Sequence, residues 1–72
     1  MRYPIVIEKA QHNYAAYSPD VPVCVATGKT IEEVKQQYKE ALQFHLEGLA
    51  EDNEPIPLPS SQVEYIELPT IA

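Results

Sequence analysis

The 72-residue chain contains one cysteine, Cys24, so no disulfide within the chain can staple it. Its two glycines are too few for a loop that cradles phosphate. Basic residues are scarce: five Lys and Arg stand against eleven Asp and Glu, giving a net charge of −6. Phosphate contacts need Lys and Arg, so direct nucleic-acid binding by this chain is disfavoured. An acidic surface suits a basic protein partner, although it also serves plain solubility. Neither a signal peptide, a lipidation motif nor a membrane-spanning apolar run is present, and with a lone cysteine the expected location is the cytoplasm. His12 and His45 lie far apart in unrelated contexts, which leaves no Cys/His cluster to hold a metal. A chain this short buries little surface and is marginal alone. Oligomerisation is the remaining common remedy, and a homodimer or homotetramer is expected.

What is present is organised around Thr30 to Asn53, which reads as one long amphipathic helix. Thr30 is suited to the N-cap, and Thr30-Ile31-Glu32-Glu33 forms a capping box. Glu32 and Glu33 also set negative charge at the positive end of the helix dipole. Ile31, Val34, Tyr38, Ala41, Leu42, His45, Leu46 and Leu49 recur at gaps of three and four, which predicts one buried face. Lys35, Gln36, Lys39, Gln43, Glu47 and Asp52 fall largely on the opposite side. Asn53 accepts the left-handed conformation that ends a helix, and Pro55 forbids its continuation. About 22 residues span about 33 Å, too long for a sheet of short strands to cover completely. Phe44 lies off the main face, as either a peripheral core contact or a contact to a subunit or partner.

Tyr3 to Glu8 alternates and is rich in β-branched residues, so it predicts a strand with Pro4 at its start or on an edge. Lys9 to Asn13 predicts a hairpin loop, with His12 a solvated turn residue. Tyr14-Ala15-Ala16-Tyr17 is a second short strand, whose two tyrosines point to opposite faces. Ser18 to Pro22 is a loop stiffened by two prolines. Val23 to Thr27 is a third strand, apolar on both sides and so expected to be covered on both faces. Cys24 within it has no basic neighbour in sequence to lower its pKa and reads as a small buried hydrophobe. His45 reads as a core or interface histidine. Gly28-Lys29 turns the chain into the helix. After the helix, Glu54 to Pro59 alternates prolines and is stiff and extended. Val63 to Leu68 alternates again and predicts a fourth strand, with Glu64 and Glu67 on opposite faces to protect an edge. The expected architecture is α+β, in the order strand–strand–strand–helix–strand, as one domain over residues 1–72.

Catalytic chemistry finds little support. Glu8, Asp20 and Glu64 would need a particular sheet order to form a two-metal nuclease site, and their spacing does not require one. Ser18, Ser60 and Ser61 sit outside any strand–turn–helix elbow. No catalytic residue, metal or cofactor is expected.

The run Tyr14-Ala15-Ala16-Tyr17-Ser18-Pro19-Asp20-Val21-Pro22 resembles the signature of the HicB-like antitoxin family. The likeness continues through Gly28-Lys29-Thr30, Glu32-Glu33, Glu40-Ala41-Leu42, His45-Leu46-Glu47-Gly48-Leu49 and Glu54-Pro55-Ile56-Pro57, covering about residues 3 to 59. It implies a partial ribonuclease H fold without the catalytic acids. It further implies an antitoxin that occludes HicA, a small basic ribonuclease toxin with a catalytic histidine. Two departures stand out. Val23 replaces the family's usual glycine before the cysteine, which would lose or regularise a glycine conformation. The chain ends at Ala72 without the C-terminal DNA-binding domain of many members, so direct operator binding is not expected. Tyr14, Tyr17 and Asp20 in the signature and Glu47 on the outer helix face are the candidate partner contacts. Packing against the helix or another subunit for the tyrosines, turn capping for Asp20 and solvation for Glu47 are the structural alternatives. The other functional reading is a stand-alone regulatory or small-ligand-binding module of the same fold without a toxin.

Overall fold

The structure, a computed structural model, describes residues 1–71. Strands β1 (Val6–Lys9), β2 (Tyr14–Ser18) and β3 (Val21–Gly28) are followed by helix α1 (Ile31–Glu51). The strands form one antiparallel sheet in the order β1-β2-β3. The helix crosses one face, chiefly over β3 and less over β2. This is the expected α+β arrangement of a small sheet and one long helix.

The sheet register decides what the helix meets. Ile7, Ala16 and Ala26 lie side by side across the three strands on the helix side. Small side chains in the two strands under the helix let it approach closely. Ala16, Val21, Cys24, Val34, Tyr38 and Leu42 form the buried core, with Tyr3, Ile5, Ile7, Tyr14, Ala26, Ala41 and Leu46 packed around it. Full burial of a side chain such as Val34 contributes about 1.5–3 kcal/mol. The expected burial of Cys24 is met. The Tyr38 hydroxyl is buried with no hydrogen-bond partner among the described residues. Burial, with Cys24 beside it, pushes its pKa up to about 12.

Both helix ends match the sequence reading. The Thr30 Oγ1 accepts from the Glu33 N–H at 3.0 Å. At the other end the Glu54 N–H reaches the Leu49 carbonyl at 2.8 Å and the Asn53 N–H reaches Ala50 at 3.1 Å. Asn53 sits at φ 56°. That bond pattern is a Schellman motif, which satisfies carbonyls that the last turn leaves free. At the helix start, Gly28 has a role beyond turning the chain. A Cβ there would stand 2.7 Å from the Val34 backbone nitrogen, so only glycine lets the first helical turn back onto the end of β3.

The first strand, expected over Tyr3–Glu8, opens at Val6 and closes at Lys9, which shortens the loop expected over Lys9–Asn13 by one residue. Three larger expectations need correction. First, the stiff loop expected over Ser18–Pro22 shrinks to Pro19 and Asp20, because Ser18 closes β2 and Val21 opens β3. Second, β3 is an edge strand with one open face, leaving Val23 and Val25 76 % and 60 % exposed. Residues apolar on both sides cannot by themselves distinguish a central strand from an unpartnered edge. Tyr17 pairs with Val25 and the next residue, Ser18, pairs with Val21, so Pro22, Val23 and Cys24 bulge out of the ladder. Pro22 lacks an N–H to donate, which suits a bulge. Val23 therefore occupies an irregular stretch rather than a regularised strand, and it does so without a positive φ. Third, Val63–Leu68 has no ladder partner among the described residues. Strand propensity expresses packing on a pleated surface, and this segment lacks that surface.

Candidate protein-interaction surface

The four candidate contact residues lie in different settings. Tyr14 packs towards the core. Tyr17 is on the other face of β2, between Val6 of β1 and Val25 of β3. The tyrosines thus take opposite faces, as expected for residues three apart in a strand. Val6, Tyr17, Val23 and Val25 form an apolar patch on the face of the sheet away from the helix, with Glu8 and Thr27 further along the same face. Glu47 is exposed on α1, on the far side of the two layers from Tyr17.

Asp20 does something else. Its backbone N–H donates to the Ser18 Oγ at 3.2 Å, which shapes the β2–β3 turn. Its carboxylate then clasps the chain 40 residues further on. The Ser60 N–H and Oγ each approach it to 3.1 Å, and the Ser61 N–H and Oγ to 3.2 and 2.7 Å. The Ser61 hydroxyl leads in holding the Asp20 carboxyl below its ordinary value, helped by the two backbone N–H groups and the Ser60 hydroxyl against a smaller desolvation effect. A second tie lies nearby, where the Tyr3 hydroxyl donates to the Pro57 carbonyl at 2.6 Å. The local cap of the turn is thus the Ser18 hydroxyl, while the Asp20 carboxylate bonds the distant Ser60 and Ser61.

The outer helix face carries more than Glu47. Glu33, Glu40 and Glu47 follow at intervals of seven, and Glu51 continues the line. Seven residues make nearly two turns, so these carboxylates form one stripe. All four are exposed. Phe44 sits within the stripe and is 79 % exposed, which removes the peripheral-core reading. Its position off the apolar face was the signal in the sequence. Lys35 and Lys39 lie to one side of the stripe. There they border an apolar groove between the start of the chain and α1, lined by Tyr3, Ile5, Leu42 and Leu46 among others. The groove exists because the helix leans over β3 and leaves the β1 side partly uncovered. His45 is half-buried on the apolar side of the helix.

Among the described residues no group of three or more His, Cys, Asp or Glu is placed to hold a metal ion. Among the same residues no helix is long and apolar enough to cross a membrane. The arrangement offers faces for macromolecular contact: an acidic stripe around an aromatic side chain, an apolar sheet face and an apolar groove.

A family model described as HicB_like antitoxin of bacterial toxin-antitoxin system matches residues 3–71. The chain is 44 % identical over 69 residues to an uncharacterized 14.9 kDa protein of Haemophilus phage HP1 from the rep-hol intergenic region, covering 96 % of this chain and 52 % of that protein. It is 37 % identical over 73 residues to antitoxin HicB of Escherichia coli K12, covering 96 % of this chain and 53 % of that protein. A UPF0150 protein of Thermoplasma acidophilum is 36 % identical over 58 residues, 79 % of this chain and 84 % of that protein. The chain thus spans about half the length of the phage and E. coli relatives. With a strand–turn–strand signature, a capped helix and a proline-rich exit all falling inside the matched span, the chain belongs to the HicB-like antitoxin family, a family of antitoxins rather than enzymes.

Proposed function

We propose that this domain binds and occludes a small basic ribonuclease toxin of the HicA type. Membership of the antitoxin family carries the reading, and the acidic stripe around Phe44 supports it physically. An exposed aromatic side chain ringed by carboxylates suits a basic surface with an apolar notch. The aromatic ring supplies burial, while the charges speed encounter and set orientation. In this reading Glu47 and Phe44 contact the toxin. Tyr17 lies on the open sheet face, a second candidate contact surface, whereas Tyr14 and Asp20 hold the domain's own structure. Inhibition is by covering the toxin's RNA-binding surface and catalytic histidine. The antitoxin domain acts as a homodimer or homotetramer.

The test is co-purification of the chain with the product of the adjacent gene, followed by an RNA-cleavage assay. A complex that inhibits cleavage, weakens as salt rises and is weakened at least tenfold by Phe44→Ala or Glu47→Lys is the expected result. A chain that neither binds the neighbouring product nor slows RNA cleavage favours the stand-alone module. One observation favours that second reading: this chain covers most of the Thermoplasma relative, so there the domain occurs with little else attached.

A further inference from the structure

We infer that Gly48 is a specificity-determining contact for the toxin: it lets a helix of that basic partner lie close along α1, beside Phe44. This rests on the antitoxin reading above and names the position on α1 that sets the fit. Gly48 stands inside the 21-residue helix, three residues before its end. Glycine is among the least favourable residues in a helix interior, because it has the most backbone freedom to lose. No contact within the chain offsets that. A Cβ at Gly48 would meet no atom within 4 Å beyond the helix's own backbone, and its φ is not positive. Gly28 is the contrast, since a Cβ there strikes the Val34 backbone at 2.7 Å and the fold itself demands glycine. At Gly48 the fold accepts a side chain, so the use for its absence lies outside the chain.

The neighbours of Gly48 say what fills that space. Phe44 lies four residues before it and Glu51 three after, so both adjoin it on the helix surface. Phe44 is 79 % exposed, and Glu51 is exposed. Ala41, seven residues before Gly48, is the other small residue on the same line. By helical angle Phe44 stands between this low line and the carboxylates of Glu40 and Glu47. The result is a shallow seat with an aromatic ridge and a charged rim. Its repeat of seven is the one by which two helices pack at a shallow crossing angle. Successive carboxylates at Glu33, Glu40 and Glu47 are about 10 Å apart along the axis, matching Lys or Arg every seven residues on a second helix. The Gln36 Nε2 donates to the Glu40 carboxylate at 3.0 Å, which holds one member of the line in place. Glu47 and Glu51 are like charges one turn apart, unfavourable until cations arrive. A small residue opposite the incoming helix brings the two axes towards the short end of their range. The open sheet face, with Val6, Tyr17 and Val25 beside Glu8, offers a basic helix no such line of charge.

The test compares the full chain with Gly48→Ala and Gly48→Leu in two readouts. Urea unfolding of each chain alone reports the fold, and calorimetric titration with the toxin encoded by the adjacent gene reports the complex. Both variants should unfold at the same urea concentration as the parent or higher, because alanine and leucine are the better helix formers. Gly48→Leu should nevertheless weaken the complex by at least tenfold, with Gly48→Ala in between. Ala50→Leu enlarges an exposed site on the groove side of the same helix and should leave the affinity within about twofold. A variant that keeps its stability and loses its partner cannot owe that loss to misfolding. Three results overturn the inference: toxin binding by Gly48→Leu equal to the parent, a fall in urea stability that shows the site to be packed within the chain, or equal loss of affinity in Ala50→Leu. If the parent chain itself neither binds the toxin nor slows RNA cleavage, the antitoxin reading fails and this inference with it. Parent binding with Gly48→Leu unaffected sinks this inference alone.

Discussion

β3 and the segment Val63–Leu68 have similar local composition and opposite fates. Both are rich in strand-forming residues, and both carry apolar side chains on each face. β3 pairs with β2 and lies under α1, which buries Val21 and Cys24. Among the described residues Val63–Leu68 has neither a ladder partner nor a helix over it, and it is exposed. The difference teaches that strand propensity is conditional: it is realised when a neighbour supplies hydrogen bonds and a surface, and lies idle otherwise. The same contrast recurs within β3, whose helix side is closed and whose other side leaves Val23 and Val25 in water.

The sharpest way to break the contrast is to remove the closed side. Tyr38→Ala takes the largest buried side chain out of the core. A loss of about 3–5 kcal/mol is expected, enough to unfold a domain this small, as read by circular dichroism and urea titration. Tyr38→Phe deletes only the unpartnered hydroxyl and should be neutral or slightly stabilising. Gly28→Ala attacks the seam between β3 and α1. A cost of about 1–3 kcal/mol in chemical denaturation is expected, because a backbone atom must move to admit the methyl group. Gly48 is the control for that substitution. Nothing lies within 4 Å of a Cβ placed there, so Gly48→Ala should raise stability by about 1 kcal/mol through helix propensity alone. Thr30→Ala removes the N-cap bond and should cost about 1 kcal/mol.

The smallest effects belong to the open segment. At concentrations where the chain is monomeric, Tyr65→Ser should change stability by less than about 0.5 kcal/mol, as at an exposed site. The clasp at its root has a pH signature. Because the Asp20 carboxyl is held below its ordinary value in the folded chain, the clasp is complete above that value. It is lost as pH falls through the depressed one. The Ser60 and Ser61 amide resonances should follow this titration, and Asp20→Asn should remove it. Persistence of the titration in Asp20→Asn would assign it to another carboxylate.

How far the site could be read from the chain depends on the range of the forces that make it. Cys24 was legible as buried because no charged neighbour accompanies it in sequence. Phe44 was legible as off the apolar face, but its high exposure needed the finished packing. The acidic stripe was present in the spacing of Glu33, Glu40 and Glu47. The Asp20 clasp had no local signal, since its partners lie about 40 residues away and serine is common in loops.

The sequence alone determined the helix from its Thr30 cap to the left-handed Asn53, the core face of that helix and the hairpin between β1 and β2. These rest on interactions between residues a few positions apart, where the order of side chains is already the geometry. Tertiary structure decided that β3 is an edge, that Gly28 must be glycine, that Asp20 grips the chain beyond the helix and that Val63–Leu68 stays unpaired. Each of those depends on which distant segment arrives as a neighbour, a choice made by burial and by the competition for ladder partners.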